Sequence, residues 1–198
     1  QEAFLDEVQR LGARTQQLAD DFVRVAQVET RPQQCQPVAL AALLDEVVAD
    51  IRPQALAAQN RLGWHTDPTA GRSASVWPMD RALVQRAVGN LVSNAIKHSP
   101  AGGEVVIWVR THADTDLHAE DALSLTVCDQ GPGLSAEQRE RLNQGDEGLP
   151  SGDAGGVGLG LQFVQIVARR HGGRLRALPG RAEATGRFEL ALGRVGAG

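Results

Sequence analysis

The helix predicted from Asp80 to His98 constrains the fold most, because it separates a core side from a polar side. At 100° per residue, its apolar face carries Val84, Val88, Leu91, Val92 and Ala95. Asn90, Asn94 and Lys97 form a separate polar stripe beside that face. Each interior asparagine costs about 0.5 kcal/mol of helix propensity relative to alanine. The stripe is therefore either a solvated surface or a functional one.

The composition is that of a globular protein with one good core. The chain has 198 residues, 42% apolar content and a mean hydropathy of -0.24. Its net charge is -4 and its 20 Lys and Arg residues are scattered, so no nucleic-acid partner is expected. Cys35 and Cys128 fit neither a zinc pattern nor a disulfide framework, which favours a reducing, cytoplasmic compartment.

Residues 1–30 carry a heptad pattern that is already under way at the start of the sequence. Apolar or small residues recur in alternating steps of four and three, at Phe4, Val8, Leu11, Thr15, Leu18, Phe22 and Val25. This seam predicts a long coiled-coil-like helix that needs a partner helix outside this chain or on a second copy. We therefore expect a fragment of a longer parent, whose anchoring in a membrane through other segments stays open. Two prolines and three glutamines mark residues 31–37 as a linker, so residues 38–198 would form the next domain.

The rest of the chain alternates between helical and strand patterns. The longer predicted helices are at about 38–60, 80–98 and 159–173, and a short one is possible at 135–144. Predicted strands are near 61–67, 75–77, 104–110, 123–129, 174–178 and 187–192, with 104–110 and 123–129 as an antiparallel pair. This order predicts an α+β fold of two layers, in which a mixed, largely antiparallel sheet is covered by helices on one face.

Two glycine-rich motifs accompany the asparagine stripe. Asp129 ends an apolar strand, and Gly131 and Gly133 behind it allow the backbone to approach a flat ligand closely. In GGVGLGL, residues 155–161, alternating glycines open onto a helix, so that free N–H groups and the helix dipole favour phosphate. This run is neither a Walker A loop nor a dinucleotide fingerprint. Each motif alone is a weak signal, whereas their order and combination are specific.

In this order the motifs resemble those of the ATP-binding domain of sensor histidine kinases. That domain belongs to a superfamily shared with DNA gyrase, the ninety-kilodalton heat-shock chaperone and mismatch-repair ATPases. RAVGNLVSNAIKHSP (86–100) is similar to the N box, DQGPG (129–133) to the G1 box and GGVGLGL (155–161) to the G2 box. The resemblance covers about residues 37–193. Residues 18–29 are similar to the second helix of the kinases' dimerisation and phosphoacceptor domain.

The resemblance implies ATP and Mg²⁺ as cofactors and assigns a role to each motif. It places Asp129 on the adenine amino group, Gly131 and Gly133 at the base pocket and His98 near the nucleotide. The phosphate end would be formed by Asn94 as the Mg²⁺ ligand, by Asn90 and Lys97 on phosphate oxygens, and by Gly156, Gly158, Leu159 and Gly160 as lid hinge and phosphate-facing backbone. A neutral asparagine suits Mg²⁺ when the phosphates supply the charge.

Asn90 separates two chemistries within this superfamily. The hydrolysing members carry a glutamate four residues before the metal-binding asparagine, where it activates water as a general base. Asn90 stands at that place and cannot take a proton, which favours transfer of the γ-phosphate to a protein over hydrolysis. An ATPase therefore remains the less favoured alternative.

The phosphoacceptor would lie outside this chain. None of the five histidines is followed by an acidic residue on an amphipathic helix, the family's acceptor setting; they are His65, His98, His112, His118 and His171. The expected partners are the parent's phosphoacceptor helix, a response regulator and a second copy, with only weak self-association of this fragment. The stretch 139–147, with Leu142 and Asn143, lacks the aromatic residue of the family's F box, so a non-catalytic nucleotide-binding domain stays open.

Overall fold

The computed structural model of the chain describes residues 32–66, 75–112, 122–144, 159–181 and 184–193. The heptad segment 1–30 lies outside these ranges, so its helix and the domain boundaries remain predictions. The described helices are α1 (Leu40–Ala57), α2 (Arg81–His98), α3 (Ala136–Asn143) and α4 (Leu159–Arg170). The described strands are β1 (Gln36–Ala39), β2 (Arg61–Thr66), β3 (Val76–Met79), β4 (Glu104–His112), β5 (Ala122–Asp129), β6 (Arg174–Ala177) and β7 (Gly186–Gly193).

The main sheet has the strand order β2-β4-β5-β7-β6. Strand β2 runs parallel to β4, and the other neighbouring pairs are antiparallel. The sheet is therefore mixed and largely antiparallel, as predicted, and β4 with β5 is the antiparallel pair expected from the sequence. Strands β1 and β3 form a separate two-stranded antiparallel sheet.

Alternation along the central strands gives the sheet one apolar face. In β5, Leu123, Leu125 and Val127 are buried and pair with Leu192, Leu190 and Phe188 of β7. The apolar face predicted for α2 is buried in the same core. Buried residues of α1 and α4 join that core as well. The α+β fold with helices on one face of the sheet is thus confirmed. No described helix is long and apolar enough to cross a membrane.

The first described helix begins later than the sequence pattern indicates. A helix from about residue 38 was expected, but residues 36–39 form β1, two of them within the predicted linker. Val38 pairs with Trp77 of β3, and both side chains are buried. Burial against this distant partner outweighs continuation of the helix. At the other end, Gln59 adopts a left-handed conformation with φ of 58°, which stops α1 before Asn60.

Candidate functional site

Asp129 is a buried carboxylate at the end of β5. It is 4% exposed, and its Oδ1 accepts a hydrogen bond from the N–H of Gly131 at 2.8 Å. Burial raises the pKa of Asp129, while the Gly131 N–H and the nearby His98 partly lower it. The Oδ2 atom accepts no hydrogen bond from any residue that the structure describes. An acceptor therefore remains for a donor group of a ligand.

Three glycines keep the space around Asp129 narrow and free of side chains. Gly186 of β7 pairs directly with Asp129, and a Cβ atom there would overlap the carboxylate. A Cβ at Gly131 would lie 2.6 Å from the carbonyl oxygen of His98. Gly133 has a φ of +65°, and a Cβ there would lie 2.5 Å from the carbonyl oxygen of Thr185. At Gly131 and Gly186 the backbone therefore lies directly against the carboxylate, while Gly133 packs against Thr185.

Thr185 and Gly186 belong to this site although the sequence pattern indicates them only as the approach to the last strand. The Thr185 hydroxyl donates a hydrogen bond to the carbonyl oxygen of Gly131, which joins the start of β7 to the turn after Asp129. The signal that identifies both residues is the strand register, in which Asp129 faces a glycine. That register becomes visible only once the strands are paired.

The asparagine stripe lies on α2, whose last residue packs against the same turn. Asn90 and Asn94 are half-buried one helical turn apart, and Lys97 and His98 are exposed in the last turn. The Nδ2 atom of Asn90 donates to the carbonyl oxygen of Gly160 at 3.4 Å. The side-chain amide of Asn94 forms no hydrogen bond with another described residue.

The structure brings two groups of predicted site residues into contact through α2. The turn of Gly131 touches the carbonyl of His98 at the end of this helix. Asn90, eight residues earlier, contacts Gly160 in the first turn of α4, where the positive end of the helix dipole lies. Gly156 and Gly158 lie outside the described residues, and Leu159 is described only as the first residue of α4.

The donor set determines what kind of metal binding fits this site. Within the ranges that the structure describes, no group of three His, Cys, Asp or Glu side chains could hold a metal ion. A cation would instead rest on a neutral ligand such as Asn94 and on charge supplied by a bound phosphate. Mg²⁺ commonly binds in this way, because it keeps several waters and takes few protein ligands. The residues present therefore fit Mg²⁺ together with a nucleotide.

Helix α3 follows the Asp129 turn and ends where the F-box aromatic was expected. Leu142 is buried, and the Asn143 amide pairs with the backbone of Ala177 in the edge strand β6. Asn143 Oδ1 accepts from the Ala177 N–H at 2.8 Å, and Asn143 Nδ2 donates to the Ala177 carbonyl at 3.2 Å. A pair of directional hydrogen bonds thus occupies the end of α3.

A family model and curated sequences match the chain along most of this region. The model described as histidine kinase-, DNA gyrase B- and HSP90-like ATPase matches residues 79–193. The sensor protein SphS of Synechococcus elongatus is 34% identical over 186 residues, covering 87% of this chain and 41% of that protein. The phosphate regulon sensor protein PhoR of Pseudomonas aeruginosa is 32% identical over 184 residues, covering 89% and 39%. The chain thus spans about two fifths of the length of these two relatives.

Solved structures show the same fold. Full-length ShkA in complex with AMPPNP superposes with a TM-score of 0.73 at 21% identity, covering 100% of this chain and 40% of that one. The mycobacterial sensor histidine kinase MprB gives a TM-score of 0.62 at 24% identity, covering 80% of this chain and 97% of that one. At these identities the comparison concerns the fold alone.

Proposed function

We propose a function for this chain from the premise that it belongs to the family of histidine kinase-, DNA gyrase B- and HSP90-like ATPases. Within this family its relatives include sensor kinases, and the chain is an ATP-binding kinase domain of the two-component type. We propose that it binds Mg-ATP, and that the longer protein transfers the γ-phosphate to a histidine outside this sequence. The observation that carries the proposal is the buried Asp129 carboxylate. Its Oδ2 atom accepts no hydrogen bond from a described residue, and its Oδ1 atom accepts from the turn residue Gly131.

Asp129 would recognise adenine through its Oδ2 atom, which accepts no hydrogen bond from a described residue. The exocyclic amino group of adenine is a donor, and a buried carboxylate is a strong acceptor for it. At Gly131 and Gly186 a Cβ atom would overlap the carboxylate, so only backbone lies against it at these two positions. A flat base can therefore lie against the backbone there, which supports adenine as the ligand at this end.

The phosphates would lie along α2 toward Gly160. Asn94 would hold Mg²⁺, which neutralises phosphate charge, and Asn90 and Lys97 would contact phosphate oxygens. The N-terminal end of α4 would add backbone N–H groups and a positive dipole end. Phosphoryl transfer depends mainly on positioning and charge neutralisation, which such an arrangement can supply.

Transfer to a protein is favoured over hydrolysis because Asn90 cannot act as a general base. One observation favours a second candidate, a nucleotide-binding domain without catalysis. Asn143 hydrogen-bonds the end of α3 to β6 at the place where the family has an aromatic residue. No aromatic side chain is therefore present there to contact a phosphoacceptor helix. The proposed partners are that acceptor helix, a response regulator and, in the longer protein, a second copy.

Phosphate transfer to a separate acceptor protein tests these alternatives. The parent's acceptor-helix domain is added to this chain with ATP labelled in the γ-phosphate, and labelled protein and free phosphate are measured together. Labelled acceptor is expected for the kinase. Steady phosphate release without labelling indicates an ATPase, and bound ATP with neither product indicates the binding domain.

A further inference from the structure

The far ends of α2 and α4 are joined by a buried hydrogen bond that the proposed site does not use. The backbone N–H of Asp80, the residue that caps α2, donates to Nε2 of His171 at 3.0 Å. His171 follows α4 directly and is completely buried. The contact spans 91 positions of the chain, so it reports tertiary packing rather than local turn geometry.

Every polar atom of His171 takes part in a hydrogen bond. Its Nδ1 contacts the carbonyl oxygen of Val167 at 2.8 Å, and its own carbonyl accepts the N–H of Gly193 at 2.9 Å. Because Nε2 accepts from Asp80, Nδ1 must carry the proton and donate to Val167. The imidazole is therefore a neutral, rigid connector between the end of α4 and the start of α2.

Three contacts define how α4 lies along α2. His171 meets Asp80, Phe163 lies under the Arg86 guanidinium at 5.3 Å, and Gly160 accepts from Asn90 at 3.4 Å. Positions rise along α2 as they fall along α4, so the helices run antiparallel. The Asp80 and Asn90 contacts are ten residues apart, or about 15 Å along the helix axis. The His171 bond therefore fixes one end of the helix pair whose other end is the proposed phosphate site.

We infer that His171 is a positioning residue for phosphate binding: its hydrogen bond to the Asp80 N–H sets the register that places Gly160 opposite Asn90. This inference rests on the proposed function, because it concerns the phosphate end of the same site. It does not concern the adenine end. Asp129 pairs with Gly186 at the start of β7, whereas the His171 carbonyl contacts Gly193 at the other end of that strand.

The test must change His171 rather than Asp80. The Asp80 carboxylate caps α2 through the Leu83 N–H and also accepts the Gln34 N–H, so its removal would alter two further contacts. His171 offers a matched pair of variants. Asparagine reproduces the Nδ1 position and can still donate to Val167, but it does not reach Asp80. Glutamine reproduces the Nε2 position and can still accept from the Asp80 N–H.

The measurement compares the dissociation constants of Mg-ATP and adenosine for wild-type, His171→Asn and His171→Gln proteins. We expect His171→Asn to weaken ATP binding about tenfold and to leave adenosine binding unchanged. We expect His171→Gln to bind ATP within about threefold of wild type. The adenosine comparison distinguishes a register effect from general loosening, because adenosine lacks the phosphates that Gly160 would face.

Three outcomes would overturn the inference alone. They are an unchanged ATP affinity in His171→Asn, an equal loss of ATP and adenosine affinity, and the same loss in His171→Gln as in His171→Asn. A wild-type protein that binds no ATP would instead overturn the proposed function and the inference with it.

A measurement on wild-type protein covers the case in which His171→Asn does not fold. Binding coupling is reciprocal, so ATP must strengthen the Asp80–His171 bond by the factor by which that bond strengthens ATP binding. We expect hydrogen exchange of the Asp80 amide to slow about tenfold more with ATP than with adenosine. Equal exchange rates with the two ligands would contradict the positioning role of His171.

Discussion

The substitution Asp129→Asn should remove nucleotide binding without unfolding the protein. The carboxylate is buried, and burial raises its pKa above the ordinary value of 3.8. A group with a raised folded-state pKa contributes stability below pH 3.8, and that contribution is lost as the pH rises through the folded-state value. Burial therefore disfavours the charged form of Asp129 relative to the neutral form in the folded protein, and an asparagine oxygen can still accept the Gly131 N–H. We expect the unliganded variant to be at least as stable as wild type.

The loss of binding follows from the donor that asparagine introduces. An amide can turn an N–H group toward the adenine amino group, which leaves a buried donor unpaired at about 3 kcal/mol, or roughly 100-fold in Kd. Mg-ATP at about 100 times the wild-type Kd stabilises wild type by about 2.7 kcal/mol, or roughly 5 to 10 °C in Tm. At the same concentration a 100-fold weaker site yields about 0.4 kcal/mol, or roughly 1 °C.

Thermal unfolding with and without Mg-ATP measures both effects of Asp129→Asn. The matched control is Asp50→Asn, since Asp50 is exposed on α1, and it should keep the full wild-type shift. An unchanged shift in Asp129→Asn would refute the assignment of Asp129 to the adenine amino group. A strong drop in Tm without ATP would show instead that this carboxylate stabilises the fold.

Three further predictions concern stability and assembly. Burial lowers the pKa of His171 below 6.5, opposed by the hydrogen bond with Val167 and by Asp80 and aided by Arg170. The contribution of neutral His171 to stability is therefore complete above pH 6.5 and is lost as the pH falls through the folded-state pKa. Between pH 7 and pH 5, urea unfolding should show a larger loss of stability for wild type than for His171→Gln. Gly186→Ala places a methyl group on the buried carboxylate and should cost about 1–3 kcal/mol, whereas Gly63→Ala, with nothing within 4 Å of a Cβ, should cost less. The fragment should self-associate only weakly, and a tight dimer in sedimentation would contradict the predicted half-bundle at its N-terminal end.

The parts of the fold that follow a local period could be predicted from the sequence. Leu123, Leu125 and Val127 alternate as in a strand with one buried face, and Val84, Val88 and further residues of α2 recur at the helical period. Burial of these residues needs only some apolar partner, whichever element supplies it. The order of such segments was therefore sufficient for a two-layer α+β fold.

Features that depend on a particular distant partner could not be predicted in this way. Val38 lies in β1, which pairs along its whole length with the distant strand β3, and no residue near Val38 in the chain indicates this partner. The end of α3 is a second example. The role of Asn143 depends on the hydrogen bond of its side-chain amide with the backbone of Ala177, which lies 34 residues further along the chain. The long separation along the chain hides both contacts from a local pattern.

The residues of the candidate site fall into the same two groups, those in local motifs and those that depend on distant partners. Asp129, its glycines and the stripe on α2 were recognisable, because each lies in a short motif whose chemistry is local. Thr185 and Gly186 were not, since they join the site through the pairing of β7 with β5. The bond between His171 and Asp80 likewise arises only when α4 packs along α2.

The affinity of the wild-type protein for Mg-GTP relative to Mg-ATP tests most directly whether Asp129 binds the amino group of adenine. Guanine carries a carbonyl oxygen where adenine carries its amino group, so two acceptors would face each other at the buried carboxylate. Calorimetry should give a Kd for Mg-GTP at least about 100-fold higher than that for Mg-ATP. Equal affinities for the two nucleotides would contradict adenine recognition by Asp129.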